Sequence, residues 1–129
     1  MWKFANPTVF MGLATRILPW LTGLTVLLFV AGLYGVAMAP DDYQQGATVK
    51  IMYIHVPSAW LAMAGWGVMS LSALGVLVWR HPLAEVAMKA AMPIGAAFTL
   101  LCLVTGSLWG QPMWGTWWVW DARLTSVLV

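Results

Sequence analysis

The 129-residue chain is 62% hydrophobic and only 8% charged, whereas soluble globular chains carry about 25% charged residues. A soluble protein of this size could not bury the long uncharged runs that this composition produces, so that class is excluded. The formal net charge of +2 comes from single basic residues beside the runs. Such residues are typical of membrane orientation signals, and no nucleic-acid partner is predicted.

The uncharged runs predict an all-α membrane protein embedded in a lipid bilayer, because each exceeds the roughly 18 apolar residues that mark a membrane-spanning candidate. Three transmembrane helices are expected, at about residues 17–39, 56–79 and 90–108. Pro40 ends the first of them, since proline cannot continue a helix.

The segments between the predicted spans are assigned from their prolines and polar residues. Pro57 suits the first turn of a helix, so the second helix is expected to begin near Val56. Ile51–His55 would then be an interfacial lead-in. Residues 80–89 read as a polar connection that could form a short surface helix.

A tryptophan-rich segment, residues 109–123, follows the third predicted span. Beyond it, Leu124–Val129 is predicted to be the start of a fourth span at about residue 124, and neither a cap nor a helix breaker closes that span at its C-terminal end. The chain is therefore expected to be the N-terminal half of a longer, truncated protein. Cys102 lies inside an apolar run and is interpreted as a small buried residue.

The basic residues predict the orientation of the chain. Two basic residues, Lys50 and Arg123, flank the runs on one side, and four flank them on the other: Lys3, Arg16, Arg80 and Lys89. The positive-inside rule then places the N-terminus in the cytoplasm and the tryptophan-rich segment outside.

Five tryptophans fall within twelve positions of this segment, more than the one or two that an interface attracts at a helix end. If the stretch is helical, Trp114, Trp117, Trp118 and Asp121 share one face. The resulting apolar patch needs a cover, which is lipid, a partner protein or a flat apolar ligand. On spacing alone, an interfacial anchor is an equally good interpretation.

The string from Trp114 to Asp121 (WGTWWVWD) resembles the WWD signature of a haem-handling family in cytochrome c maturation. Its continuation Ala122–Ser126 resembles the haem exporter protein C (CcmC) branch of that family. Sister branches that attach haem to apocytochrome continue with Asp-Pro and an acidic residue, which this sequence lacks. Three further strings resemble the same branch: Ala39–Gly46, His55–Pro57 and Ala91–Gly95.

The resemblance implies a six-helix protein of the bacterial inner membrane that binds haem b and presents it at the periplasmic face. Its implied partners are a periplasmic haem chaperone, the subunits of an ATP-binding cassette transporter and a small membrane subunit. The resemblance also implies that the protein is a haem-delivery factor and not an enzyme.

The resemblance also implies site residues. His55 would be an axial ligand of the haem iron, whereas a second axial histidine, from a later outer loop, has no match here. The platform for the porphyrin would comprise Trp114, Trp117, Trp118 and Trp120.

Charged residues beside the tryptophans are further candidates because of their own chemistry. Arg123 could bind a haem propionate, with Lys50 a weaker candidate, or Arg123 could be a topological anchor. Asp121 could orient an indole, pair with Arg123 or simply be polar at the membrane edge. His81 is predicted in a loop on the cytoplasmic side.

Two other functions stay open. A haem-attaching lyase component would share the tryptophan string, but no nucleophile–base or paired-carboxylate pattern supports it. A structural membrane subunit would use the tryptophans only as an interfacial anchor.

Overall fold

A computed structural model describes residues 6–129, and Lys3, one of the predicted orientation signals, lies outside that range. The described part is all-helical and contains no strand, which confirms the predicted fold class. It has four helices: α1 (Pro7–Met38), α2 (Val49–Trp79), α3 (Pro82–Trp114) and α4 (Ala122–Leu128). Residues up to Ala39 form one compact unit and Pro40–Val129 a second, which holds the site.

Within the described residues, α1, α2 and α3 are each long and apolar enough to cross a membrane. Each has more than 30 residues, so it is about 45–50 Å long, against a hydrocarbon core of about 30 Å. Large apolar side chains along all three helices are exposed, as expected for helices that are surrounded by lipid or by other protein. The helices extend beyond the ranges predicted for the spans, and the membrane boundaries within them stay a prediction.

α1 begins earlier than the first predicted span, at Pro7 instead of residue 17. The Asn6 side chain caps it by accepting a hydrogen bond from the Thr8 backbone N–H at 3.0 Å. Its C-terminal end agrees with the prediction from Pro40, because the helix stops at Met38.

The loop between α1 and α2 is built around Asp42. Its carboxylate accepts hydrogen bonds from the backbone N–H groups of Gln44 and Gln45, at 2.9 and 2.8 Å. These bonds, that from Gln45 foremost, lower the pKa of Asp42. Gly46 closes the turn with a φ of 58°, which glycine adopts without strain.

Because this loop is compact, α2 begins directly after it, at Val49. The prediction that the helix begins near Val56 is therefore wrong, and Ile51–His55 belong to its first turns instead of forming a lead-in. Pro57 sits inside the helix, two turns from its start.

A two-residue turn, Arg80 and His81, connects α2 to α3. Arg80 adopts the left-handed conformation, and its N–H donates to the Val76 carbonyl at 2.9 Å. The polar residues after it form the first turns of α3, where Lys89 donates to Glu85 at 2.7 Å. The predicted connection is thus largely part of the long third helix.

α2 and α3 pack as an antiparallel pair with very close backbones. A Cβ atom built on Gly65 would lie 2.8 Å from the Gly95 Cα atom, so the close approach depends on the absence of a side chain at Gly65. Further along the pair, a Cβ on Gly75 would lie 3.0 Å from the Ala84 Cβ. These contacts bring His55 of α2 next to the C-terminal half of α3.

Candidate functional site

An apolar cavity of about 360 Å³ lies between α2, the C-terminal half of α3 and α4. Its polar members are few, and they come from separate elements: His55 from α2, Trp109 and Trp114 from α3, and Arg123 from α4. A mostly apolar cavity with a few convergent polar groups is the usual form of a small-molecule site.

The imidazole of His55 is half-buried and held against α3. Its Nδ1 atom lies 3.0 Å from the hydroxyl oxygen of Thr105, which is buried. Gly106 gives the ring its space, because a Cβ at that position would lie 3.1 Å from His55 Cε1. With Nδ1 engaged, Nε2 is the ring nitrogen that remains for a ligand.

Trp109 and Trp114 form one corner of the cavity. Their rings meet edge to face, with centroids 5.3 Å apart and an interplanar angle of 88°. The Trp109 indole N–H donates to the side-chain oxygen of Gln45 at 2.9 Å, so the loop before α2 fixes the ring. The Trp114 ring folds back over Gly110, where a Cβ would lie 3.2 Å from it.

α3 ends at Trp114 because Gly115 takes the left-handed conformation, with a φ of 76°. Residues 115–121 are not helical. Trp114, Trp117, Trp118 and Asp121 would share one face only if this stretch were helical, and Gly115 ends the helix before Trp117.

The other three tryptophans line a different cavity, of about 480 Å³, together with Ser107 and apolar residues. Trp118 and Trp120 meet nearly edge to face there, with centroids 5.6 Å apart. The indole N–H of Trp118 is buried without a hydrogen-bond partner. Of the four tryptophans predicted to form one platform, only Trp114 shares the cavity of His55.

Arg123 is placed above Trp114 by Asp121. The guanidinium carbon lies 5.3 Å from the Trp114 ring centroid, within the range of a cation–π contact. Asp121 Oδ2 accepts from the guanidinium at 2.9 Å, while Oδ1 caps α4 by accepting from the Leu124 N–H at 2.7 Å. The predicted pairing of Asp121 with Arg123 is thus present.

The pKa of Asp121 is lowered, first by the backbone hydrogen bond from Leu124 and then by Arg123. A lowered folded-state pKa means that the cap stabilises α4 at pH values above the unfolded pKa, and that this stabilisation is lost as the pH falls through the folded pKa.

We expect Arg123→Gln to raise the carboxyl titration midpoint of Asp121 only in part, because the backbone hydrogen bond from Leu124, which is the larger cause, persists. Carboxyl-carbon NMR of the full-length protein measures it. A midpoint that rises to that of an unstructured aspartate would contradict this order of causes.

Lys50, the weaker propionate candidate, and His81, which was predicted to lie in a cytoplasmic loop, are outside both cavities. The Lys50 ammonium lies 3.5 Å from the Asp41 carboxylate in the α1–α2 region of the chain. His81 precedes α3, and 24 residues separate it from Thr105. That distance along a helix is about 36 Å, so His81 is far from His55.

Sequence reasoning missed Thr105, Gly106 and Gln45. Trp109 was recognised only as part of the tryptophan-rich segment. Nothing local marks Thr105, because its role depends on how α2 and α3 pack. Gly106 gave a weak signal as a small residue in an apolar helix.

These features define a multi-pass helical membrane protein with an apolar cavity at one end of its second and third helices. A family model described as Heme exporter protein C matches residues 1–129. The chain belongs to the Heme exporter protein C family, and the resemblance stated from the sequence is confirmed.

Curated relatives with this name come from several bacteria. The protein of Bradyrhizobium diazoefficiens is 72% identical over 125 residues, which are 97% of this chain and 48% of the relative. That of Paracoccus denitrificans is 49% identical over 129 residues, 100% of this chain and 54% of the relative. That of Escherichia coli K12 is 47% identical over 134 residues, 100% of this chain and 55% of the relative. The chain spans about half the length of the curated relatives it matches.

Proposed function

We propose that this chain supplies one side of a haem-binding site in a membrane protein that presents haem for c-type cytochrome maturation. The observation that carries the proposal is the single cavity that joins His55, Trp114 and Arg123. These three side chains match the three parts of haem b: an iron that takes an axial nitrogen, a flat apolar ring and carboxylate propionates.

The composition of the cavity fits haem better than a bare metal ion. Within residues 6–129, no three His, Cys, Asp or Glu side chains converge as a free metal ion requires. One imidazole suits an iron whose equatorial ligands come with the porphyrin. His55 Nε2 would bind the iron, Trp114 would stack on the ring, and Arg123 would hold a propionate. A histidine from outside residues 1–129 would be the second axial ligand.

The location and partners are part of the same proposal. The excess of Lys and Arg beside one set of helix ends supports an inner-membrane protein with a cytoplasmic N-terminus and a periplasmic tryptophan-rich segment. Delivery of haem to a periplasmic chaperone, together with transporter subunits and a small membrane subunit, is what the resemblance of the tryptophan string implies. The family description as an exporter supports a role in haem transport. It also supports a delivery factor and no enzyme.

Replacing single tryptophans tests where haem binds. Trp114 is 45% exposed and faces the His55 cavity, so Trp114→Ala removes apolar contact and stacking. We expect a loss of about 2 kcal/mol, or roughly 30-fold, in haem affinity. Trp117→Ala is the matched control, because Trp117 is similarly exposed but lines the other cavity. Haem bound per purified full-length protein, measured as the pyridine haemochrome, gives the comparison.

The outcomes separate the candidate functions. A full-length protein without any haem spectrum would leave the tryptophans as an interfacial anchor, and the proposal would fail. Equal losses for Trp114→Ala and Trp117→Ala would place haem on a common platform instead of in the His55 cavity.

Delivery and attachment differ in their product. In cells that produce the full-length protein, we expect covalent haem on the periplasmic chaperone and its loss when the protein is absent. Covalent haem that accumulates on apocytochrome without passing through the chaperone would favour the lyase alternative.

A further inference from the structure

Thr105 is the buried hydrogen-bond partner of His55. The other hydrogen bonds of the Thr105 hydroxyl decide whether it donates to the His55 Nδ1 atom or accepts from it. The hydroxyl oxygen lies 2.7 Å from the Leu101 carbonyl oxygen and 3.2 Å from that of Cys102. A hydroxyl has one hydrogen to donate and two lone pairs to accept. An O···O distance of 2.7 Å is the usual length of an O–H···O hydrogen bond, so the hydroxyl hydrogen points to the carbonyl of Leu101.

The same hydroxyl can then only accept from the imidazole. If it donated to Nδ1 instead, its oxygen would face the Leu101 carbonyl oxygen at 2.7 Å with no hydrogen between them. The 3.0 Å contact therefore has Nδ1–H as donor and Thr105 as acceptor. In a neutral imidazole with Nδ1–H, Nε2 carries the lone pair.

We propose that Thr105 is a positioning residue that holds His55 in the Nδ1–H tautomer, with Nε2 unprotonated toward the cavity. This inference rests on the proposed function for the identity of the ligand, which is haem iron. Histidines that ligate metals generally donate their other ring N–H to a fixed acceptor, which sets the ring orientation and raises ligand basicity. Here the acceptor is a hydroxyl, itself tied to the α3 backbone.

The surroundings of the ring leave Thr105 as its main polar contact. The Cys102 sulfur is 4.0 Å from the same Nδ1 atom, a much weaker acceptor at a longer distance. Gly106 sets the ring against α3, since a Cβ there would lie 3.1 Å from Cε1. The glycine thus provides the space and the threonine provides the orientation.

The chain offers a matched set of variants. Thr105→Val keeps the side-chain shape but removes the acceptor, whereas Thr105→Ser keeps the hydroxyl. Thr99→Val is the control, because Thr99 lies on the same helix and donates to the carbonyl four residues before it, at 2.9 Å, without contacting His55. Thr99→Val therefore reports what the loss of such a side-chain-to-backbone hydrogen bond alone does to folding.

The first measurement needs no haem. Full-length protein labelled with ¹⁵N-histidine and produced without haem reports the protonated nitrogen of each imidazole, with His55→Ala used for assignment. We expect protonated Nδ1 in the wild type, Thr105→Ser and Thr99→Val, and a shift toward protonated Nε2 in Thr105→Val. A wild-type His55 protonated on Nε2, or a Thr105→Val protein with unchanged nitrogen shifts, would overturn the inference.

The second measurement is haem affinity. We expect Thr105→Val to lower it by about 10- to 100-fold and Thr105→Ser to restore it. If His55→Ala leaves haem binding unchanged, the proposed function fails, while the nitrogen shifts still establish the role of Thr105 in fixing the ring. If His55→Ala loses haem but the shifts do not depend on Thr105, only the present inference fails.

Discussion

Alanine in place of Gly65 is expected to destabilise the packing of α2 against α3 by about 1–3 kcal/mol relative to Gly67→Ala, the cost typical of overpacking. Its Cβ would lie 2.8 Å from the Gly95 Cα, so the two backbones would have to move apart. Helix propensity acts in the opposite direction, because alanine is about 1 kcal/mol better than glycine inside a helix. The matched variant at Gly67, which has open space around it, carries the same propensity gain without the clash.

Denaturation of the purified full-length protein in mixed micelles measures the difference. Gly95→Ala should resemble Gly67→Ala, because its Cβ would meet the Gly65 Cα at an ordinary contact distance of 3.6 Å. Equal stability of the Gly65 and Gly67 variants would show that the helices do not approach as closely as described.

His55→Gly is expected to lower haem affinity by more than about 100-fold, since loss of a ligand exceeds the 10- to 100-fold cost of losing a ligand's partner. The variant leaves a space against Gly106 and Thr105 that free imidazole can occupy. Imidazole in the buffer should therefore restore haem binding and the absorption spectrum of the wild type. A structural role for His55 gives no reason for such rescue.

His81→Gly is the control for this experiment, since His81 lies at the far end of α3 from the cavity. Its haem content should match the wild type with and without imidazole. Unchanged axial ligation in His55→Gly would remove His55 from the ligand set.

The existence and order of the long helices could be predicted from the sequence, because uncharged runs longer than a bilayer is thick leave few other structures. The C-terminal ends of α1 and α2 could be predicted as well, but the starts of the three long helices and the end of α3 could not. Hydropathy reports where lipid is favourable, whereas the ends depend on hydrogen bonding at polar turns. The carboxylate of Asp42 organises the turn that precedes α2, and the Glu85–Lys89 pair lies in the polar first turns of α3.

The site could be predicted only in its chemically distinctive members. His55 and Trp114 stood out through the resemblance and Arg123 through the fit of a guanidinium to a carboxylate, and the structure brings all three into one cavity. Thr105 was beyond reach, because 50 residues separate it from His55 and only the packing of two helices joins them. Which tryptophans lie together could not be predicted, because a single glycine, Gly115, ends the helix that would have aligned them.

The two carboxylate oxygens of Asp121 hold α4 and Arg123 at the same time. One oxygen fixes the first turn of the helix and the other fixes the cation above Trp114. The position of the guanidinium over Trp114 is thereby tied to the first turn of α4 through one carboxylate. Loss of the Asp121 carboxylate would therefore remove the cap of α4 and the anchor of Arg123 together.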